Sequence, residues 1–323
     1  MKDYFEYIDL SKGVGICLVV LGHGLFPYHY AIDSFHMPLF FILAGMTYTL
    51  PSCDGLFLLK KIDRIFIPYV FFTMVSEICS FVLRTLNHGP LYGGLFNGPL
   101  WFLPAIFGSL ILYLILNRRF RQWYQLNFII LLLFVYEGIV SYYRLDFLPF
   151  SFDTIIFSTV FVHVGYCIHK VIGSLSGIYT FLLMLLYCGG LLLAHEMEID
   201  KGSYMNHSIY SSNILFYFFM ALTGSCFLIK CCYLVAKFQN RFVKIVAWLG
   251  KNSLVIMCVH FPMIQILNLQ IVKMNLYDNL FGRVLLGCGE FVLVLLLSVI
   301  VTILCKYFIP SLTGYKRLLS NIV

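Results

Sequence analysis

The chain has 323 residues, of which 61% are apolar and only 11% are charged, and its mean hydropathy is +0.89. A water-soluble domain of this length does not need so much apolar surface, whereas a protein that crosses a membrane many times does. The composition therefore excludes a soluble enzyme or a soluble binding module. The formal net charge of +7 suggests an acidic or nucleic-acid partner at first sight, but the positions of the basic residues give another explanation.

Ten apolar runs, each long enough for a membrane helix, follow one another with short connections. The predicted spans are residues 13–30, 35–51, 64–83, 99–117, 125–143, 152–170, 174–194, 211–235, 247–271 and 284–308. No connection is long enough to fold alone, and the sequence has no internal repeat. The pattern predicts an all-α bundle of about ten transmembrane helices in a single membrane domain, residues 1–323.

The first span is predicted to be an uncleaved helix and not a signal peptide. Asp3, Glu6 and Asp9 make the segment before it acidic, and no small-residue cleavage site follows it. The 11 cysteines lie mostly inside apolar runs, and none forms a CxxC pair. This spacing favours small buried apolar side chains over disulfides or a metal site, so no metal is predicted.

The distribution of lysine and arginine indicates the orientation. With a cytoplasmic N-terminus, 17 of the 22 basic residues fall at cytoplasmic ends and loops of the ten spans. This is the bias that the positive-inside rule describes, and an error in the number of helices would destroy it. The sequence therefore predicts that both termini are cytoplasmic, and the net charge needs no nucleic-acid partner.

His23 is a titratable ring inside the first apolar run, with Lys12 at the start of that run. Ionisable side chains in hydrocarbon are rare and are usually functional. Eleven residues make about three helical turns, so Lys12 and His23 share one helix face roughly 16 Å apart. The helix would carry a cation at the membrane edge and an acid–base group deeper in the membrane.

Four ionisable side chains, one of them His23, are predicted at a similar depth, slightly beyond mid-membrane. They are His23, Glu77, Glu137 and His260. This shared level suggests a polar cavity, although each residue also has a structural reading as a hydrogen-bonded or ion-paired group between helices. Nearer the outer face are Asp33, His36, Trp101 and Asp153. Asp153 has the alternative role of an acidic residue at a helix N-terminus.

A basic cluster precedes the third span at its predicted cytoplasmic end. Lys61 and Arg64 are three residues apart and share a helix face. Such a pair can hold the phosphates of a cytoplasmic ligand, and the alternative is a plain positive-inside anchor.

Several of these segments together carry a family resemblance. In chain order they are Lys12 and His23 as a basic–x10–histidine pattern, 35–45 (FHMPLFFILAG), Lys61 and Arg64 followed by 67–69 (IPY), 98–103 (GPLWFL), 148–166 (beginning LPFSFD), and 249–262 (LGKNSL ending in HFP). The chain resembles membrane acyltransferase family 3, especially its fucose 4-O-acetylase-like and surface-polysaccharide O-acetyltransferase branch. Lysine stands at Lys12 and Lys61 where that family usually has arginine.

The resemblance implies an integral enzyme of the bacterial inner (plasma) membrane that takes an acyl group, acetyl by default, from cytoplasmic acyl-CoA. The acceptor would be a sugar hydroxyl of a surface polysaccharide or its lipid-linked precursor. Acetyl-CoA would be a co-substrate, and no permanently bound cofactor is predicted. The protein would be surrounded by the lipid bilayer.

The predicted roles combine this resemblance with the membrane depth of Glu77, Glu137 and Asp33, which lie outside the family motifs. The catalytic group would be His23, as general base or transient acyl carrier, with His36, Asp153, Glu77 and His260 in the same site. Lys12, Lys61 and Arg64 would bind the acyl donor. Trp101, Asp33 and Glu137 would bind the sugar acceptor.

Two other classes of function remain open from the sequence. An exporter or flippase for a polysaccharide precursor would also have intramembrane charges and prolines, although transporters commonly show repeated halves. A receptor or structural membrane component would leave the histidines and the basic pair without a purpose. Transfer of labelled acetyl groups separates the enzyme from the exporter.

Overall fold

A computed structural model of the chain describes residues 2–87, 97–144, 152–199, 205–210, 213–272 and 280–319. It is 82% helical, and the described part contains no β-strand. The α-helices are α1 (Lys2–His23), α2 (His29–Asp33), α3 (His36–Met46), α4 (Asp54–Lys61), α5 (Ile67–Asn87), α6 (Phe102–Arg119), α7 (Trp123–Tyr143), α8 (Phe152–Ile168), α9 (Gly177–Glu196), α10 (Ile214–Val235), α11 (Arg241–Lys251), α12 (Ser253–Val272) and α13 (Leu280–Phe308). Shorter turns are a π-helix (Ile62–Phe66) and 3-10 helices (Gly98–Trp101, Met205–His207 and Ala236–Phe238).

Six of the described helical segments are long and apolar enough to cross a membrane, or seven if the bent pair Arg241–Lys251 and Ser253–Asn268 is one span. The six are Asp54–Val82, Gly98–Arg119, Trp123–Tyr143, Gly177–Glu196, Ile214–Phe238 and Gly282–Phe308. The all-α membrane fold is thus confirmed. The number of ten spans and the cytoplasmic position of both termini stay predictions.

Four predicted spans differ from the observed helices. The span expected at 247–271 is divided between α11 and α12, which are bent by 80° relative to each other. The helix expected at 13–30 begins earlier and ends at His23, because Gly24 and Pro27 interrupt it. The helix expected at 35–51 is the 11-residue α3, which at 1.5 Å per residue is shorter than a bilayer core. The helix expected at 152–170 is α8, whose 17 residues are at the lower limit of the length that crosses a bilayer.

The described chain packs into two compact units. The first comprises Met1–Gly15, Tyr28–Leu50 and Gly108–Lys251. The second comprises Ile16–Pro27, Pro51–Phe107 and Asn252–Val323. The single domain at 1–323 stays a prediction.

Glycines bring helices together in the first unit. A Cβ on Gly45 of α3 would lie 1.9 Å from the carbonyl oxygen of Val162, and one on Gly165 of α8 would lie 1.9 Å from that of Ile42. Small residues allow such close backbone approach between membrane helices. The buried side chains of α3, including Phe41, Ile42 and Leu43, complete this crossing as the core of the unit.

The second unit is built around α5, α12 and α13, together with the end of α1 and the segment at Gly98–Trp101. Pro262 lies inside α12 and has no N–H to donate to the carbonyl of Cys258, four residues earlier. The side-chain amide of the buried Asn97 donates instead to that carbonyl, at 2.6 Å, and to Ser76 Oγ of α5, at 3.0 Å. Asn97 therefore joins α5 to α12 two residues from His260.

Candidate active site

His23 is the last residue of α1, at the point where glycine breaks the helix. The N–H of Gly24 closes the final turn on the carbonyl of Leu21, at 3.3 Å. A helix C-terminus carries partial negative charge, which stabilises a protonated imidazole. The position is thus favourable for a histidine that takes up a proton during a reaction, and the half-buried ring remains accessible.

His260 of α12 contacts His23. The two ring centroids are 5.4 Å apart, with the ring planes tilted by 33°. His260 is fully buried, and its Nδ1 lies 3.1 Å from the carbonyl of Ile256 and 2.9 Å from that of Met257. These two acceptors assign the proton of the neutral ring to Nδ1, so Nε2 is the acceptor nitrogen. The helix backbone therefore fixes both the tautomer and the orientation of His260.

Phe261 forms an apolar wall beside the histidine pair. Its ring meets His23 edge-on, with centroids 5.4 Å apart and planes at 78°, and lies 6.4 Å from the ring of His260. An aromatic side chain here lowers the local polarity and keeps water away from one side of the imidazole. Such exclusion strengthens electrostatic interactions within the site.

Glu290 of α13 is a residue of this site that sequence reasoning missed. It is 4% exposed, and its Oε2 accepts a hydrogen bond from the N–H of Leu25 at 2.8 Å. A Cβ on Gly24 would lie 2.7 Å from the same oxygen, so glycine allows the carboxylate to approach the chain directly after His23. The other oxygen, Oε1, is buried and has no hydrogen-bond partner within the described residues. An acidic residue inside the last apolar run was the signal that could have identified it.

Two of the three predicted donor-binding residues, Lys61 and Arg64, lie at the π-helix in the second unit, whereas Lys12 belongs to the first unit. Lys61 ends α4, with its Nζ 5.1 Å from the centroid of the Phe57 ring, and Arg64 is exposed within the π-helix. π-Helical turns often occur at functional sites. Asp63, between the two cations in sequence, is 1% exposed and directed inward. Its position leaves the cations at the surface of the unit.

Trp101 and Glu77 also belong to the second unit. Trp101 ends the 3-10 turn that follows Asn97, and its ring packs edge-on against Phe102 with centroids 6.2 Å apart. Glu77 lies on the exposed side of α5 next to Ile78, whereas Ser76 and Ser80 face inward. The catalytic assignment of Glu77 stays a prediction.

Asp33 and His36 lie together in the first unit. Asp33 Oδ1 is 3.7 Å from His36 Nδ1, which is also 2.9 Å from the carbonyl of Ile32. Burial raises the pKa of Asp33 to about 7. Its predicted role in binding the acceptor stays a prediction.

Glu137 and Asp153 each accept a hydrogen bond from a tyrosine in the first unit. Tyr136 donates to Asp153 Oδ1 at 2.6 Å, and Tyr210 donates to the fully buried Glu137 at 2.7 Å. Burial and the adjacent Glu137 carboxylate raise the pKa of Tyr210 well above its usual value, so the phenol remains a donor. Asp153 is in the first turn of α8, which also fits its structural reading.

Lys12 is half-buried on α1, one turn after Asp9, and acts electrostatically on that carboxylate. Asp9 Oδ2 is also 3.8 Å from Lys251 Nζ. The interaction with Asp9 is consistent with a structural role for Lys12. Its role in binding the acyl donor stays a prediction.

The membrane-length helices define a polytopic membrane protein, and the contact between His23 and His260 makes this part of it a candidate acid–base site. A family model described as an acyltransferase domain matches residues 5–307, nearly the whole chain. The chain belongs to acyltransferase family 3, and it is an acyltransferase. Comparison with curated proteins and comparison with solved structures each gave no match.

Proposed function

We propose that the protein is an O-acyltransferase of the plasma membrane that moves an acyl group, acetyl by default, from cytoplasmic acyl-CoA to a sugar hydroxyl. The acceptor is a surface polysaccharide or its lipid-linked precursor. The observation that carries this proposal is the contact between His23 and His260, in a chain whose family transfers acyl groups. A hydroxyl needs a base to become a nucleophile, and imidazole is the side chain best suited to that role near neutral pH.

In the proposed reaction, His23 takes the proton of the sugar hydroxyl as its oxygen attacks the thioester carbonyl. The new carbon–oxygen bond forms, the carbon–sulfur bond breaks, and the proton passes to the leaving thiolate, which gives an ester and free coenzyme A. The ring of His260, with Nδ1 committed to backbone carbonyls, contacts the ring of His23 and limits its orientation. This is the arrangement of a base held by a second group.

Two features of the site support the protonated state of His23. The C-terminal end of α1 favours positive charge, and the Glu290 carboxylate lies at the chain segment directly after His23. Both stabilise the imidazolium that forms during hydroxyl attack, and neither requires a covalent acyl-histidine. We propose the general-base form of the mechanism, in which no acyl-histidine forms.

The donor side is tested by replacing Lys61 and Arg64 together with alanine. These cations are proposed to bind the phosphates of acyl-CoA, and charge-assisted contacts contribute about 1.5–3 kcal/mol each. We expect the KM for acetyl-CoA to rise by about tenfold or more while kcat changes little, in steady-state assays of the purified protein in detergent. Both residues lie at or near the surface, so the variant should keep its thermal stability.

The matched control replaces Arg118 and Arg119, two exposed cations at the end of α6, with alanine. It removes the same charge from another predicted cytoplasmic end and should leave the KM unchanged. An unchanged KM in the Lys61 and Arg64 variant, or an equal rise in the control, would contradict the assignment of the donor site.

A further inference from the structure

The chain after α13 forms a compact turn. The N–H groups of Tyr315 and Lys316 both donate to the carbonyl of Pro310, at 2.9 Å each. Gly314 within the turn has φ +78°, a left-handed conformation that glycine adopts without strain. The segment 309–319 is therefore a defined element, which we call the C-terminal turn.

The C-terminal turn packs on the π-helix that carries Arg64. The carboxylate of Asp63 accepts hydrogen bonds from the N–H groups of Leu318 and Leu319, at 3.2 and 2.8 Å. A Cβ on Gly314 would lie 3.1 Å from the carbonyl oxygen of Arg64. Two backbone donors satisfy this buried acid, which holds the two segments together.

Further contacts hold the C-terminal turn to the same unit. The Tyr315 hydroxyl donates to Asn252 Oδ1 at 2.9 Å, at the start of α12. The Nζ of Lys306, near the end of α13, lies 4.8 Å from the centroid of the Tyr315 ring, within the range of a cation–π interaction. The C-terminal turn thus has anchors on the π-helix, beside α12 and on α13.

This docking places a second pair of cations beside the first. Lys316 and Arg317 are exposed and directly precede Leu318. Two covalent bonds separate the Cα of Arg317 from the Leu318 nitrogen that donates to Asp63, so that Cα lies within about 6 Å of the carboxylate. Lys61 and Arg64 flank the same aspartate in sequence. The buried Asp63 carboxylate accepts from backbone N–H groups of the C-terminal turn, while Arg64, Lys316 and Arg317 are exposed.

We propose that Lys316 and Arg317 of the C-terminal turn form, with Lys61 and Arg64, one composite binding site for the phosphate groups of the acyl donor. In this site Asp63 is a positioning residue, because it fixes the C-terminal turn against the π-helix and does not itself contact the ligand. The identity of the ligand rests on the proposed function. Coenzyme A carries a diphosphate and a ribose phosphate, so it can engage cations from two segments at once.

The test measures binding of coenzyme A to the purified full chain in detergent by calorimetry. Replacing Lys316 and Arg317 with alanine should raise the Kd about tenfold and make it depend less on salt concentration. Acetyl transfer from acetyl-pantetheine, which lacks phosphates, should keep its wild-type rate. The matched control replaces Lys237 and Lys244, two exposed lysines elsewhere, and should bind coenzyme A as the wild type does.

Asp63→Asn tests the positioning role while all four cations remain. It should raise the Kd for coenzyme A and increase the rate of hydrogen exchange at the amides of Leu318 and Leu319. Wild-type affinity in the Lys316 and Arg317 variant, or a loss equal to that of the control, overturns the composite site even if the enzyme transfers acetyl groups. A wild type that binds coenzyme A through these cations but transfers no acetyl group overturns the proposed function and leaves the anion site supported.

Discussion

His23→Ala is expected to reduce kcat for acyl transfer by about a thousandfold, because a general base typically contributes 10²–10⁴-fold. The KM for acetyl-CoA should change little, since the proposed donor cations are untouched. The ring is half-buried at a helix end, so its removal should not unfold the protein. The rate is measured with purified protein and a saccharide acceptor, and folding is checked by size exclusion and thermal melting.

The control for this variant is His207→Ala, which removes an exposed histidine from a 3-10 turn and should retain wild-type kcat. His260→Ala should lower kcat less than His23→Ala, because His260 acts through His23. The double variant should be no slower than His23→Ala alone, since residues that act as a unit are not additive. If the loss of kcat in the double variant equals the product of the two single losses, the two histidines do not act as a unit. A kcat for His23→Ala within tenfold of wild type would refute the assignment of His23 as the general base.

Glu290→Gln is expected to lower kcat by about ten- to a hundredfold with little change in the KM for acetyl-CoA. Glutamine can still accept the hydrogen bond from Leu25, so the substitution mainly removes the negative charge that stabilises an imidazolium near His23. Glu290→Ala also removes the acceptor for Leu25 and should lower thermal stability. The comparison of the two variants separates the effect of charge from that of structure.

The matched control is Glu196→Gln, which neutralises an exposed acid at the end of α9. It should have the activity of the wild type. If Glu290→Gln is as active as that control, the carboxylate has no electrostatic part in the reaction and its role is limited to anchoring the chain after α1.

Much of the membrane fold could be predicted from sequence, because apolar runs of bilayer length have few alternatives. Some of the residues that end these helices early can also be recognised in the sequence. Gly24 and Pro27 end the first helix at His23, and the predicted helix at 35–51 stops after 11 residues at Met46. Counting apolar residues extended both helices beyond these breaks.

The site could be predicted in part, because position along a membrane helix can be counted from the sequence. Counting residues from the predicted membrane edge placed His23 and His260 at one level, and their rings are in contact in the structure. Glu77 had the same predicted level but lies on the exposed side of its helix, because depth along a helix does not determine which face a residue occupies.

The remaining features depend on contacts between residues far apart in sequence. Glu290 meets Leu25 across 265 residues, and Asp63 meets Leu319 across 256. Asn97 supplies the hydrogen bond that Pro262 cannot make, but no local pattern links the two. Such pairings arise from packing of the second unit, and hydropathy and short motifs carry no information about them.

The most direct test of an acyl-CoA-dependent O-acyltransferase uses inside-out membrane vesicles that contain the protein and its glycan acceptor. Acetyl-CoA labelled in the acetyl group is added on the cytoplasmic side, and glycan-bound label is measured before and after mild alkali. The account predicts alkali-labile label on the glycan with the wild type and none with His23→Ala at equal protein level. Glycan that crosses the membrane without acquiring label would contradict it and identify an exporter.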